Sequence, residues 1–160
     1  MKVLLTGSSK GIGFKIAEDL IIEGHDIALH YNKNKSSIEQ LLKQDKTKSF
    51  SVKADLSSKD QIKKLVENTI KNFSFPDCII NNAGIAESAD ISLDIDEWDE
   101  IYNRTLDVNL KAPVLIFKEF LKYKREIIIQ SSLRLINIPS RPAVKREKHD
   151  YKYYACPIYG

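Results

Sequence analysis

The chain has 160 residues, of which 42% are hydrophobic and 29% charged. This composition is typical of a globular protein with a buried core, and the length is enough for one domain but too short for two. No run of 18 apolar residues occurs and the two cysteines, Cys78 and Cys156, lie far apart, so we predict no membrane span, disulfide framework or metal site and expect a cytoplasmic setting. The net charge is +3, and residues 122–152 carry an excess of positive charge, with nine Lys and Arg against three Asp and Glu. Because this stretch has no aromatic-interleaved or helix-turn-helix pattern, we interpret it as a solvated tail and expect no nucleic-acid partner.

Short apolar segments alternate with stretches of helical periodicity, which is typical of a parallel sheet with helices on both faces. The predicted strands cover residues 2–5, 26–31, 48–53 and 77–81. The first predicted helix begins near Ile12 and stops at Gly24, the second is capped by Ser36 or Ser37, and the third is capped by Ser58.

The later part of the chain is less regular. Residues 96–123 are predicted to be mostly helical, with Pro113 marking a boundary or a kink. A fifth strand lies either in residues 126–130 or in residues 133–138, and the pattern leaves this choice open. Periodicity fades after Ile138, so no helix is predicted there.

A glycine-rich segment, residues 6–13 (TGSSKGIG), joins the first strand to the first helix. Gly7 lets the chain turn off the strand, Gly11 lets the backbone approach a pyrophosphate, and Gly13 lets the helix pack closely on the sheet. Backbone amides and the positive end of the helix would then face the phosphates. The segment predicts a dinucleotide site, to which we assign Thr6, Gly7, Ser9, Lys10, Gly11, Ile12 and Gly13.

A second motif, Asn81-Asn82-Ala83-Gly84, follows the fourth strand. Together with the Gly-x-x-x-Gly-x-Gly spacing, it resembles the short-chain dehydrogenases/reductases of the classical type. The resemblance implies a single NAD(P)-binding domain over residues 1–160, built as a three-layer, Rossmann-type α/β fold with a doubly wound parallel sheet and incomplete at its carboxyl end, where the family's last strands are absent. It also implies that the adenosine half of the cofactor is lined by Asn82, Ala83, Gly84, Asp55 and Leu56.

The segment after the second strand indicates which cofactor is used. Sites for NAD often carry an acid there, which bonds the ribose 2′-hydroxyl. Residues 30–34 (HYNKN) contain no acid. Asn32 and Lys33, together with Lys10 in the glycine loop, would instead meet a 2′-phosphate. We therefore predict NADP(H) rather than NAD(H).

The family's catalytic residues are Asn, Ser, Tyr and Lys, and the resemblance implies Asn109, Ser140 and Tyr154 for the first three. Ser140 lies 14 residues before Tyr154, close to the family's gap, whereas the alternative, Ser132, lies 22 before it. The interval from Trp98 to Asn109 looks about one helical turn longer than usual. If that insertion is a whole turn, the side chain of Asn109 points in the same direction as in the family; otherwise Asn109 is a solvent-facing helix residue.

The Lys position of the Tyr-x-x-x-Lys motif is occupied by Ile158, and Pro157 precedes it. A free Tyr has a pKa of about 10, and lowering it to about 7 requires roughly 4 kcal/mol, which Ile cannot supply. The resemblance implies reduction of a carbonyl such as a 3-oxoacyl thioester or small ketone, and Ile158 predicts that turnover is weak or absent. The alternative is a non-catalytic NADP-binding or partner-binding module, and the homo-oligomer usual in the family is in doubt here.

Overall fold

A computed structural model describes residues 1–127 and 132–139. It contains five strands, β1 (Lys2–Leu5), β2 (Asp26–Tyr31), β3 (Phe50–Lys53), β4 (Cys78–Asn81) and β5 (Arg134–Asn137). The helices are α1 (Gly11–Ile22), α2 (Ser36–Gln44), α3 (Lys59–Phe73), α4 (Ile95–Leu106) and α5 (Ala112–Ile127), and a π-helical segment, Asp107–Lys111, joins the last two.

All five strands pair in parallel, in the order β3-β2-β1-β4-β5. From β1, the chain adds β2 and β3 on one side of the sheet. It then returns across the sheet and adds β4 and β5 on the other side of β1. This reversal lies between β1 and β4, and ligands of open α/β sheets bind at the carboxyl ends of the strands at such a point. The prediction of a Rossmann-type, doubly wound parallel sheet is confirmed.

The side chains of β1, β2 and β4 alternate between two cores, one on each face of the sheet. Leu5 and Ile27 pack with Ala17 of α1 and Ile38 of α2. On the other face, the core contains residues of β1, β2, β4, α3 and α5, among them Leu4, Ala28, Ile79, Leu65 and Phe120. Helices thus cover both faces, as the three-layer prediction requires.

The predicted boundaries hold within two residues for the first four strands. For the fifth strand, the structure selects residues 133–138, because β5 lies within them, whereas residues 126 and 127 end α5. The apolar run at residues 127–129 did not decide between the two, since short apolar runs occur in buried helices as well as in strands.

The helix starts follow local hydrogen bonding. Ser58 caps α3 as predicted and accepts a hydrogen bond from the Gln61 amide at 3.4 Å. The predicted cap at Ser36 or Ser37 is wrong, because the side chain of Asn34 accepts from the Ser36 amide at 3.0 Å and Ser36 is already helical. Asp94 caps α4 by accepting from two amides of its first turn.

Pro113 lies at a helix boundary, as predicted. It is the second residue of α5, directly after the π-helical segment. Proline has no N–H to offer the carbonyl four residues back, so the regular ladder cannot continue unchanged through this point. In this segment the Ala112 amide bonds the carbonyl of Asp107, five residues earlier.

Cys78 is buried, as expected for a small apolar side chain. Cys156 lies outside the described residues. Within residues 1–127 and 132–139, no helix is long and apolar enough to cross a bilayer.

Candidate functional site

The glycine-rich loop leaves β1 at the carboxyl edge of the sheet and turns there with Gly7 at φ +69°. It runs into the amino end of α1, which begins at Gly11. The side chain of Lys10, which directly precedes this helix, does not cap it, and the first turn of the helix contains no acid. Amides at an uncapped helix start carry unbalanced positive charge, which suits an anion such as a phosphate.

Two of the glycines are required by close packing. A Cβ on Gly7 would lie 2.8 Å from the Cα of Ala83, and one on Gly13 would collide with the Gly7 carbonyl and the Asn82 side chain. The prediction that Gly13 lets the helix pack closely on the sheet is wrong in its partner, because the close neighbours are these two loops rather than the strands themselves. Gly11 differs, because a Cβ there would meet nothing within 4 Å, although its φ of +58° still favours glycine.

Thr6 joins the glycine loop to the loop after β4. Its hydroxyl accepts hydrogen bonds from the amides of Asn82 and Ala83, both at 3.0 Å. In return, the Asn82 side chain donates to the carbonyls of Thr6 and Gly7, also at 3.0 Å. Thr6 is 1% exposed, so it shapes the site from beneath rather than facing a ligand.

Asn109 lies in the π-helical segment and points back at the loop after β4. Its Oδ1 accepts from the Ile85 amide and its Nδ2 donates to the Ile85 carbonyl, both at 2.8 Å. The solvent-facing alternative is therefore wrong. The helical stretch after Trp98 ends in a π turn, from which the Asn109 side chain bonds the loop after β4; Asn109 itself is not among the residues that line the cleft described below.

The two loops enclose a cleft of about 690 Å³ at the carboxyl edge of the sheet. Every residue predicted to contact the cofactor lines this cleft except Thr6. The cleft also contains residues that the sequence did not single out: His30, Tyr31, Asn34, Ile85, Glu87, Arg104 and Val108. A second cleft of about 700 Å³, near Glu18 and Lys46, contains none of the predicted site residues.

Charged side chains surround the cleft. Lys10 and Lys33 line it, as do Glu87 and Arg104, which form an ion pair at 3.4 Å. The Asp55 carboxylate accepts from the Ser57 hydroxyl at 2.7 Å and from the Ser57 amide at 2.9 Å. These hydrogen bonds hold the pKa of Asp55 below its usual value, with a smaller contribution from the positive charges of Arg104 and Lys33.

His30 lies beneath the cleft at 2% exposure. Its Nδ1 accepts from the Gly7 amide at 3.0 Å, and its Nε2 lies 3.0 Å from the Ala54 carbonyl. Burial lowers the pKa of His30 to about 4, against smaller opposing effects of Ala54 and Asp55. The sequence offered no signal for this role, because a single histidine in a strand is equally typical of a core position.

The candidate catalytic residues fall partly outside the described residues. Ser140, Tyr154, Pro157 and Ile158 all lie there. Ser132 is described and precedes β5, so it lies at the amino edge of the sheet, and the four residues of β5 separate it from the carboxyl edge by about 13 Å. Ser132 therefore cannot reach the cleft, whereas the chain after β5 continues from the carboxyl edge, where the Ile138 amide bonds the Asn81 carbonyl at 2.9 Å.

Comparison with known proteins gives one family. A sequence profile described as short chain dehydrogenase matches residues 1–156. The 3-oxoacyl-[acyl-carrier-protein] reductase FabG of Staphylococcus epidermidis is 31% identical over 141 residues, covering 86% of this chain and 55% of that protein. An oxidoreductase of the same species is 29% identical over 153 residues, covering 95% of this chain and 63% of its own length.

Solved structures show the same fold. A short chain dehydrogenase from Burkholderia cenocepacia in complex with NADP superposes with a TM-score of 0.73 at 23% identity, covering 92% of this chain and 58% of that one. A blue fluorescent protein from a metagenomic library, in complex with NADPH, superposes with a TM-score of 0.70 at 26% identity, covering 89% and 56%. The chain thus spans between one half and two thirds of the length of these relatives.

We expect the Thr6→Val variant to lower the free energy of unfolding by about 2 kcal/mol, because the amides of Asn82 and Ala83 lose their acceptor at almost constant side-chain volume. Thr6→Ser keeps the hydroxyl and is the matched control, with a smaller loss. Urea unfolding of the three proteins measures the difference. Equal stabilities for the Val and Ser variants would contradict the role given to the hydroxyl.

The stability of the protein should depend on pH through His30. Its pKa is about 4 when folded and 6.5 when unfolded, so the unfolded chain binds more protons between these values. The contribution of His30 to the free energy of unfolding is therefore complete above pH 6.5 and is lost as the pH falls towards 4, by about 3 kcal/mol in total. Denaturant unfolding at several pH values, with His30→Asn as the non-titrating control, measures it; equal pH slopes for the two proteins would exclude His30 as the cause.

Proposed function

Since the chain belongs to the short-chain dehydrogenase family, we propose that it binds NADP(H) in the cleft at the carboxyl edge of its sheet and that its chemistry is carbonyl reduction. The observation that carries the proposal is the uncapped start of α1 behind the glycine loop. A helix end of this kind stabilises a bound phosphate through several backbone amides and through the helix dipole.

The residues of the cleft fit a dinucleotide. Gly11 leaves open space where a side chain would otherwise stand beside the amides of α1, and this space suits the pyrophosphate. Asp55 follows β3 at the other side of the cleft, with its carboxylate held in a turn by Ser57, and it would accept a hydrogen bond from the adenine amino group. Asn82, Ala83 and Gly84 also line the cleft.

The preference for NADP(H) over NAD(H) is supported by two lysines and by a missing acid. Lys10 and Lys33 both line the cleft, and residues 30–34 contain no carboxylate to bond a free ribose 2′-hydroxyl. A 2′-phosphate carries between one and two negative charges at neutral pH, so a lysine pair favours it. NADP and NADPH are also the ligands named for the two structural neighbours described above.

For the substrate we propose a 3-oxoacyl thioester or a small ketone, on the strength of the FabG relatives. Bound NADPH would supply the hydride. Asn109 holds the loop after β4 through Ile85, Ser140 would orient the substrate oxygen, and the Tyr154 hydroxyl would donate its proton to that oxygen. A neutral phenol can donate without a lowered pKa, so Ile158 penalises alcohol oxidation, which needs the phenolate, more than ketone reduction.

A non-catalytic cofactor-binding or partner-binding module is the second candidate. The observation that favours it is Ile158, because the lysine that would bind the nicotinamide ribose and lower the pKa of the tyrosine is absent. The cleft and both loop motifs do not depend on that lysine. Cofactor binding without turnover is the behaviour that distinguishes this candidate from a reductase.

Replacing both Lys10 and Lys33 by Ala should weaken NADPH binding roughly tenfold or more and leave NADH binding nearly unchanged, because only NADPH carries the 2′-phosphate. Lys43→Ala, on the exposed surface of α2, is the matched control. Isothermal titration with both cofactors measures the effect. Tighter binding of NADH than of NADPH by the unaltered protein would contradict the proposed preference.

Ile158→Lys combined with Pro157→Ser should raise NADPH-dependent reduction of a 3-oxoacyl thioester at least tenfold, because the lysine would bind the nicotinamide ribose and make the Tyr154 phenol a stronger proton donor, by about 1.4 kcal/mol for each unit by which its pKa falls. Ile158→Met with the same Pro157 change controls for side-chain length. Loss of absorbance at 340 nm follows the reaction. A starting protein as active as the Lys variant would refute the claim that Ile158 limits turnover.

A further inference from the structure

The buried imidazole of His30 connects two parts of the chain that are 47 positions apart in sequence. On one side the Gly7 amide donates to Nδ1 at 3.0 Å, and on the other Nε2 lies 3.0 Å from the Ala54 carbonyl. The backbone of His30 adds to the first connection, because its carbonyl accepts from both the amide and the hydroxyl of Ser8 at 2.9 Å. One residue of β2 therefore makes three hydrogen bonds to the start of the glycine loop.

The two ring contacts fix the protonation state of His30. A backbone amide can only donate and a carbonyl can only accept, so Nδ1 must carry a lone pair and Nε2 must carry the proton. A doubly protonated ring would turn an N–H towards the N–H of Gly7 and break that bond. Burial, which lowers the pKa of His30 to about 4, keeps the neutral form in place throughout the physiological range.

The two residues that bond the ring, Gly7 and Ala54, each lie next to a part of the proposed cofactor site. Gly7 begins the turn that leads to the amides of α1, and a Cβ on it would collide with Ala83, so its position tolerates little movement. Ala54 directly precedes Asp55 and is itself tied to β2, because its amide donates to the Tyr31 carbonyl at 3.0 Å. The imidazole thus lies between the phosphate side and the adenine side of the cleft.

We propose that His30 is a positioning residue, which fixes the distance between the pyrophosphate-binding loop at Gly7 and the adenine-binding turn at Asp55 and so sets the affinity for NADP(H). This inference rests on the proposed function of the cleft. The charged groups that line the same cleft are Lys10, Lys33, Asp55, Glu87 and Arg104. Asp55 is the one among them whose charge acts on the imidazole.

Three substitutions separate positioning from simple core packing. His30→Leu keeps an apolar volume but removes both ring hydrogen bonds. His30→Asn places an amide oxygen near the position of Nδ1, so it can still accept from Gly7 but does not reach Ala54. His30→Gln places an amide nitrogen near the position of Nε2, so it can still donate to Ala54.

We expect His30→Leu to bind NADPH roughly tenfold more weakly at pH 7.5, because the Gly7 amide loses its acceptor and, of the bonds from residue 30, only the backbone bonds to Ser8 still hold the loop. His30→Asn should recover most of this loss, and His30→Gln should lie between the two. Isothermal titration gives the dissociation constants, and the fluorescence of Trp98 on urea unfolding gives the stabilities. A role in packing alone would lower all three stabilities without ordering the affinities in this way.

The imidazole can also be observed directly in the unaltered protein. Long-range ¹⁵N–¹H correlation spectra at pH 7.5 should show His30 with its proton on Nε2, and the Gly7 amide resonance should shift in His30→Leu but much less in His30→Asn. The spectrum that locates the ring proton needs neither the cofactor nor a stable Leu variant. A proton on Nδ1 would overturn the proposal outright.

The outcomes distinguish the inference from the function on which it rests. NADPH binding by the unaltered protein that persists within twofold in His30→Leu would overturn the positioning role and leave the proposed function standing. Failure of the unaltered protein to bind NADPH or NADH at millimolar concentration would overturn the proposed function. In that case the Nε2 proton and the Gly7 shift would still support His30 as the residue that holds the loop.

Discussion

The hydroxyl of Thr6 is the interaction on which the carboxyl edge of this sheet depends. It accepts two amides from the loop after β4, while the Asn82 side chain returns two bonds to the glycine loop. Buried backbone groups must be paired, and each loop supplies hydrogen-bond partners for the backbone of the other. The glycines follow from this exchange, since a Cβ on Gly7 or Gly13 would push the loops apart.

Much of the fold could be predicted from the sequence because its signals are local. The alternation of apolar strands and periodic helices gave the parallel sheet, and Gly7, Gly11 and Gly13 gave the position of the cleft. The choice for β5 needed tertiary information, because only pairing with β4 distinguishes residues 133–138 from the equally apolar run before them.

The parts of the site that could not be predicted are those created by contacts distant in sequence. Neither His30 nor Arg104 belongs to a motif, and their positions at the cleft follow from the strand order and from the path of α4. Thr6 was expected to contact the cofactor, but its hydroxyl serves the neighbouring loop instead. Asn109 was predicted from its motif and holds the loop after β4. The π turn that presents Asn109 was not predicted, because helical periodicity does not reveal a single wider turn.

The strand order has a consequence for the nascent polypeptide. Thr6 and Asn82 are separated by 76 positions, and the chain between β3 and β4 must pass β2 and β1 to bring them together. Closing so long a loop costs entropy that no local contact repays. The hydrogen bonds between Thr6 and Asn82 can therefore form only after the Asn82 segment has left the ribosome.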